Sequence, residues 1–86
     1  MRIEKKVWPE FFQKIVDGDK NFEIRLADFE CRQGDTLYLQ EWDPFTRTFT
    51  GRMLEKQVMY VLKTKDVSFW PKEEIDQYGL QVIGFK

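Results

Sequence analysis

The stretch WPEFFQKIVDGDKNFEIRL, residues 8–26, joins a helical repeat to a strand repeat and decides how the fold begins. In its first half, apolar residues recur at positions i, i+3, i+4, i+7 and i+8, which form one stripe of a helix. Pro9 falls in the first turn, where proline is tolerated, and Gly18 suits the position that ends a helix. The pattern predicts an amphipathic helix over about residues 8–17. Four members of its stripe are expected in the core: Phe11, Phe12, Ile15 and Val16.

The second half of the stretch alternates apolar and charged side chains, which is the period of a half-buried strand. Glu23 and Arg25 then share one face of this strand, and Lys20 lies in the turn leading into it. Residues 18–25 read G-x-K-x-x-E-x-R, so groups of both charges are crowded between a helix end and a strand. Three apolar side chains are predicted to face the core: Phe22, Ile24 and Leu26.

The rest of the chain carries further strand patterns that are separated by turn signals, among them Gly34-Asp35. A helix-length crossover occurs once, between the first two strands, and the later strands meander. This order favours an α+β fold, a small, mostly antiparallel β-barrel that forms a single domain over residues 1–86. The predicted elements beyond the first helix are strands at about 2–7, 22–26, 36–42, 52–63 and 80–85, a hairpin tip at 43–51 and a short helical turn at about 71–77.

Composition narrows the classes of function. The chain has no His and one cysteine, Cys31, which excludes an internal disulfide and an ordinary zinc site. We therefore predict neither a metal nor a cofactor. No apolar run approaches the ~20 residues of a membrane span, and the N-terminus lacks the apolar region of a signal peptide. A cytoplasmic protein without membrane contact is expected.

Charge is distributed unevenly along the chain. The net charge of −1 argues against strong, unspecific attraction to nucleic acid. Residues 44–65, however, carry a local net charge of +4. This basic segment can form one positive face on a slightly acidic body, or it can be a solvated ladder of strand charges.

The motif and its surroundings resemble the ASCH family of the PUA-like superfamily. The resemblance rests on Gly18, Lys20, Glu23 and Arg25 and on the Gly34-Asp35 turn. A small branch of that family is similar over more of the chain, in the helix start at 8–12, in Glu41-Trp42-Asp43 and in Thr50-Gly51-Arg52. The resemblance implies a PUA-like β-barrel with a helix-flanked cleft, and RNA as the ligand of that cleft.

The charged motif is suited to a nucleotide-like ligand. Arg25 can present a planar fork to a phosphate or a base edge, and Lys20 a point charge. Glu23 accepts hydrogen bonds when ionised, so it can take a base amino group. A cleft of this kind reads one or two unpaired nucleotides of single-stranded RNA rather than a duplex.

Stacking and backbone contacts would complete such a site. Trp42 is the expected stacking platform, with Phe45 and Trp70 as alternatives, and Arg52 is expected to follow the phosphate backbone. A purely structural role is also open, in which the charges of the motif pair with one another on a strand face.

Enzymatic activity is an alternative from a different class. Some ASCH relatives look like amidohydrolases that remove an acyl group from modified cytidine with a Lys, a Thr and a distal Glu. Lys20 matches that Lys, whereas Glu23 stands in the place of the Thr, so an enzyme here would use Lys20 as a base and Glu23 as its partner. A third hypothesis is a protein-interaction module that uses the aromatic hairpin tip Phe45–Phe49.

Overall fold

A computed structural model of the chain describes residues 1–66 and 69–85. Within these residues the elements are β1 (Arg2–Val7), α1 (Pro9–Val16), β2 (Thr36–Asp43), β3 (Thr48–Gln57) and α2 (Lys72–Tyr78), with a 3-10 turn at Thr64–Asp66. The strands predicted near 2–7 and 36–42 and the helical turn predicted near 71–77 are therefore present, with small shifts of their bounds. Neither helix in the described ranges has the length and apolar character needed to cross a membrane.

The three strands form one sheet in the order β1-β2-β3. β1 runs parallel to β2, with Ile3 opposite Leu37, and β2 runs antiparallel to β3, with Leu39 opposite Leu54. A parallel pair needs a crossover connection, and α1 with the segment that follows it supplies that connection. The hairpin of β2 and β3 turns through residues 44–47.

The core lies between α1 and one face of the sheet. Phe12 is 1% exposed, and Leu39 opposite it on the central strand is equally enclosed. Helices of eight residues are marginal on their own in water, so this packing stabilises α1. The buried cluster consists of Val7, Phe12, Ile15 and Leu39, with the half-buried Leu37 and Leu54 against it.

The predicted β-barrel is wrong. Closure requires the outer strands of a sheet to find partners. Within residues 1–66 and 69–85, no strand pairs with the outer edge of β1 or of β3, so the sheet is open. The two strands that would have closed it, predicted at 22–26 and 80–85, do not form.

Residues 22–26 are tied to the fold by side chains instead of by a strand ladder. Lys20 Nζ donates to the carbonyl of Phe22 at 2.8 Å, and the Arg25 guanidinium donates to the carbonyl of Lys6 in β1. Long charged side chains thus bond main-chain carbonyls in this region. The alternation of apolar and charged residues does not reveal this arrangement. The same alternation occurs whether the segment is bonded in a strand ladder or held by side chains.

The burial predicted for this segment is wrong for two of its three apolar residues. Ile24 and Leu26 are exposed, and Phe22 is half-buried. The ring of Phe22 packs against the backbone at Gly84, where an added Cβ would come within 2.9 Å of it. The C-terminal segment therefore reaches the charged motif without pairing with it as a strand.

The strand predicted over residues 52–63 forms as β3 with different bounds. It begins before residue 52 and ends before residue 63. β3 ends at Gln57, and Val58 then exchanges two hydrogen bonds with the Gly34-Asp35 turn, at 2.9 and 2.8 Å. Beyond that point Tyr60 and Leu62 are exposed. The turn signal at Gly34-Asp35 is confirmed, since Gly34 has a φ of +95°.

The core stripe of α1 is narrower than the sequence predicts. Phe12 and Ile15 are buried, whereas Phe11 and Val16 are each 46% exposed. A sheet of three strands offers one short helix a contact that is mainly with β2. The flanks of a wide apolar stripe then stay outside the contact, and Phe11 is left free to line a surface pocket.

Candidate ligand-binding pocket

The three charged side chains of the G-x-K-x-x-E-x-R motif form one cluster, in which two cations bond the carboxylate of Glu23. Lys20 Nζ donates to Glu23 Oε1 at 2.6 Å, and Arg25 Nε donates to Glu23 Oε2 at 3.0 Å. The side chains of Lys20 and Glu23 are 16% and 14% exposed, and that of Arg25 is 32% exposed. Two cations therefore flank one anion, and the cluster keeps a net positive charge in a largely enclosed place.

The end of α1 positions this cluster. Gly18 has a φ of +82°, which favours glycine, and its N–H donates to the carbonyl of Ile15 at 3.1 Å. The N–H of Lys20 donates to the carbonyl of Lys14 at 3.0 Å. These bonds turn the chain sharply after the helix and direct the motif back toward the end of β1, where Arg25 bonds the carbonyl of Lys6.

The cluster lines a concave, solvent-reachable pocket of about 340 Å³. This volume lies in the range of small-molecule sites. Trp8 and Phe11 supply aromatic walls, and their ring centroids are 6.4 Å apart in a stacked arrangement. The lining consists of Lys6, Val7, Trp8, Phe11, Lys20, Glu23, Ile24 and Arg25.

The chemistry of the pocket is that of recognition by charge and by hydrogen bonds. Each carboxylate oxygen of Glu23 has lone pairs beyond the one it shares with a cation, so it can accept a further hydrogen bond. Among the described residues, the Nη1 group of Arg25 has no hydrogen-bond partner, which leaves its donors for a ligand. The described part of the chain has no group of three or more residues able to hold a metal ion.

The structure places Trp42 on a different surface from the pocket lining. Lys6 Nζ lies 3.9 Å from the centroid of the Trp42 ring, and the ring packs edge-on against Phe49 at 4.9 Å. Lys6 also lines the pocket, so it links the pocket with the sheet surface that carries Trp42. Of the five residues predicted for the site, three therefore share the pocket and Trp42 lies beside it.

Arg52, the fifth predicted residue, is engaged in the fold. Its guanidinium lies 4.9 Å from the Phe12 ring centroid and donates to Gln13 Oε1 at 3.1 Å. It also forms an ion pair with Glu41, whose Oε2 is 3.8 Å from Arg52 Nη1. Arg52 thus holds α1 to β3 and lies apart from the pocket lining.

Sequence reasoning missed the buried carboxylate of Glu41. It accepts a hydrogen bond from the Thr50 hydroxyl and faces Arg52, at the β-bulge where the register of β2 and β3 shifts between Gln40 and Trp42. Gly51 lies between Thr50 and Arg52 with a φ of +98°, which favours glycine at such a bulge. A signal was present, since Glu41 continues the apolar alternation of Leu37 and Leu39 on β2.

Five residues of the pocket lining were not predicted for the site, and three of them have charged or aromatic side chains. Lys6, Trp8 and Phe11 precede the motif, and the spacing within the motif does not refer to them. Lys6 and Trp8 lie on either side of Val7 at the end of β1. The hydrogen bond from Arg25 to the carbonyl of Lys6 brings this end of the strand next to the motif. The signal that could have indicated Trp8 is its place at the first position of the stripe, before the helix begins.

A second concavity of about 400 Å³ lies between the segment 31–33 and the segment 60–63. Burial raises the pKa of the Cys31 thiol, and the nearby carboxylate of Asp35 raises it further. A raised pKa lowers the thiolate fraction, so Cys31 is poorly suited to act as a nucleophile. The volumes of the two pockets do not show which one is the better candidate for a ligand site. The pocket beside α1 is preferred because of its aromatic walls and its mixed-charge cluster.

The chain thus combines an open three-stranded sheet with a mixed-charge pocket beside its first helix. Residues 4–74 match the family described as a domain of unknown function, DUF3850, and the chain belongs to that family. The matched range includes the whole pocket lining.

The comparison with individual proteins gives a phage relative. An uncharacterised 12.9 kDa protein in the GpA 3′ region of Escherichia phage P2 is 33% identical to this chain over 72 residues. Those residues are 84% of this chain and 62% of the phage protein, so the chain spans less than two thirds of that curated relative. No solved structure matches the chain.

Proposed function

We propose that the pocket binds a nucleotide-like group, and that its natural ligand is single-stranded RNA. The observation that carries this proposal is the convergence of Lys20, Glu23 and Arg25 in one concave space with aromatic walls. Charged donors, a charged acceptor and flat apolar surface are the three features by which proteins hold an unpaired nucleotide.

Each group has a distinct task in this binding mode. The Nη1 donors of Arg25, which have no partner within residues 1–66 and 69–85, contact a phosphate oxygen through charge-assisted hydrogen bonds. Glu23 accepts from a base amino group with the lone pairs that Lys20 and Arg25 leave unused. Trp8 and Phe11, half-exposed at the pocket wall, provide a face for the base.

Binding is favoured over a purely structural ion cluster because of the cost of enclosing charge. An exposed pair stabilises a protein by about 0–1 kcal/mol, and a pair removed from water gains little over apolar residues of similar size. A cluster of three charges, two of them largely enclosed, beside an open pocket is therefore a poor device for stability alone. It is well suited to holding donors and an acceptor in fixed positions before a ligand arrives.

The hydrolase alternative gains less support from the geometry. Lys20 Nζ is engaged in hydrogen bonds to Glu23 Oε1 and to the carbonyl of Phe22. Glu23 stands in the place of the Thr of the amidohydrolase relatives, and none of the described residues that line the pocket is a Ser or a Thr, so a hydroxyl nucleophile is lacking there. The resemblance to the ASCH family adds support for RNA as the ligand, and an RNA ligand together with a free thiol at Cys31 fits a cytoplasmic setting.

A charge-matched pair of variants tests the proposal. The double variant Lys20→Ala, Arg25→Ala removes two positive charges from the pocket, and Arg32→Ala, Lys63→Ala removes two from the other concavity. We expect the first to lower the affinity for a fluorescent single-stranded hexanucleotide by about tenfold or more, a loss of about 1.4 kcal/mol. The second should bind within about twofold of the wild type. Equal losses in both variants, or no loss in the first while it remains folded, would show that the site is wrongly assigned.

A further inference from the structure

The face of the sheet opposite the core repeats one arrangement of a cation over an aromatic ring. Arg2 Cζ lies 3.9 Å from the Tyr38 ring centroid, and Lys6 Nζ lies 3.9 Å from that of Trp42. In both cases the ring belongs to the residue two positions beyond the β2 partner of the cation. The two pairs are therefore about 13 Å apart along the strands, at a rise of about 3.3 Å per residue.

The two cations differ in their counter-ions. Arg2 forms an ion pair with Glu55, with 3.5 Å between Arg2 Nη1 and Glu55 Oε1. Lys6 Nζ has no carboxylate within 4.0 Å among residues 1–66 and 69–85. It rests on two aromatic rings, those of Trp42 and Phe49. An ammonium held in this way is available to an anion that approaches the sheet.

We propose that single-stranded RNA continues from the pocket across Lys6 onto Trp42, so that a second base stacks on this indole. The proposal rests on the proposed function of the pocket. Lys6 is part of the pocket lining, and its ammonium lies over the Trp42 ring on the adjoining sheet face, so a strand that leaves the pocket toward Trp42 would carry its phosphate past this ammonium. That phosphate then becomes the counter-ion of Lys6. When the Lys6 ammonium leaves the Trp42 ring, the second base stacks on that ring.

The interaction strengths favour replacement of the Lys6 ammonium by an RNA base on the Trp42 ring. An exposed cation–ring contact is worth about two- to fivefold in an equilibrium constant. Stacking of a base on an aromatic side chain is worth about five- to 150-fold in affinity. Lys6 also gains a charged phosphate in place of a ring. Phe49 packs against the Trp42 ring in a T-shaped arrangement, so the ring keeps an aromatic neighbour when the ammonium leaves.

The test is the gain in affinity with RNA length. Wild-type protein should bind a single-stranded tetranucleotide at least about tenfold more tightly than the mononucleotide, and Trp42→Leu should lose most of that gain. Lys6→Gln should reduce the slope of log affinity against log salt for the tetranucleotide by about 0.7, as expected for one lost phosphate contact. Arg2→Gln is the matched control, since it removes the ion-paired cation of the other ring, and it should keep both the gain and the slope.

The outcomes separate this inference from the function of the pocket. If Lys20→Ala, Arg25→Ala weakens mononucleotide binding but Trp42→Leu keeps the length gain and Lys6→Gln the slope, the pocket stands and the extension over Trp42 is wrong. If the pocket variant binds the mononucleotide as the wild type does, the proposed function itself fails. If the wild type self-associates and Trp42→Leu abolishes this without changing the length gain, the sheet face contacts a second copy, which overturns the extension. Lys6 is exposed, so the salt slope of Lys6→Gln remains informative even where Trp42→Leu is poorly folded.

Discussion

Lys20 Nζ lies 2.6 Å from Glu23 Oε1, and both side chains are largely enclosed although they are three residues apart in a segment without regular structure. The contact fixes the path of the chain between α1 and residue 25. It also fixes the second oxygen of Glu23, which receives Arg25 Nε at 3.0 Å. One carboxylate therefore sets the positions of both cations in the pocket.

The first prediction concerns the stability that this carboxylate provides. Glu23→Gln keeps the size of the side chain but leaves the enclosed Lys20 and the more exposed Arg25 without their anion, so the free energy of unfolding should fall by about 1–3 kcal/mol. Asp76→Asn is the control, because Asp76 pairs with Lys72 on the surface of α2 with both side chains mostly exposed. Its loss should stay within about 0.5 kcal/mol. Urea denaturation measures both, and equal losses would show that enclosure of the Glu23 cluster is wrong.

The second prediction separates the two faces of α1. Phe12→Ala should lower the free energy of unfolding by about 3–5 kcal/mol, because Phe12 is packed on Leu39 and Val7 in the core. Phe11→Ala removes the same group from a half-exposed position, so it should lower stability by about 1 kcal/mol or less. Thermal or urea unfolding of the two variants measures the contrast. A Phe11 variant as destabilised as the Phe12 variant would mean that the Phe11 flank of the stripe is buried as well.

The third prediction concerns Asp35 and pH. The Met1 ammonium bonds Asp35 Oδ1 at 3.0 Å, and the N–H of Arg32 donates to Oδ2 at 3.0 Å. These contacts hold the pKa of Asp35 below its ordinary value of 3.8, with the ammonium as the main cause.

A lowered pKa in the folded state means that the carboxylate stabilises the protein above 3.8 and that this contribution is lost as the pH falls through the folded-state pKa. Protein that begins at Met1 should therefore be more stable than its Asp35→Asn variant at neutral pH, and the two should converge in acid. Unfolding curves measured across this pH range provide the check. A difference that does not depend on pH would contradict the assigned cause.

The fourth prediction concerns catalysis. Because Lys20 Nζ is engaged with Glu23 and the carbonyl of Phe22, and the described pocket lining has no Ser or Thr hydroxyl, the wild-type protein should release no free nucleoside from acylated cytidines. Chromatography of long incubations at high protein concentration is the measurement. Turnover that is abolished in Lys20→Ala would establish the hydrolase and displace the present account.

Local patterns predicted those elements whose neighbours in sequence are also their neighbours in space. α1 follows from its period and from Pro9 and Gly18, and the turn at Gly34 follows from residue type. The assignment of residues 22–26 to a strand failed because alternation states which side chains share a face but not what the backbone bonds. Here the charged groups that define the motif bond main-chain carbonyls themselves.

The pocket was predictable in part for the same reason. Lys20, Glu23 and Arg25 come together because they are local in sequence, and the contact between Lys20 and Glu23 needs no distant element. Lys6 and Trp8 join them through a contact that spans 19 residues, from Arg25 to the carbonyl of Lys6, and no spacing in the sequence encodes it. Arg52 was assigned to a ligand because its partner Glu41 was not recognised as a buried carboxylate.

The most direct measurement is a titration of isotope-labelled protein with a single-stranded tetranucleotide, followed by amide and indole NMR signals. Binding should shift the signals of the backbone amides of residues 20–25 and of the indole N–H of Trp8, while the amide signals of residues 31–33 and 60–63 stay unchanged. Shifts concentrated at the second concavity, or no shifts at saturating RNA, would contradict the proposed site.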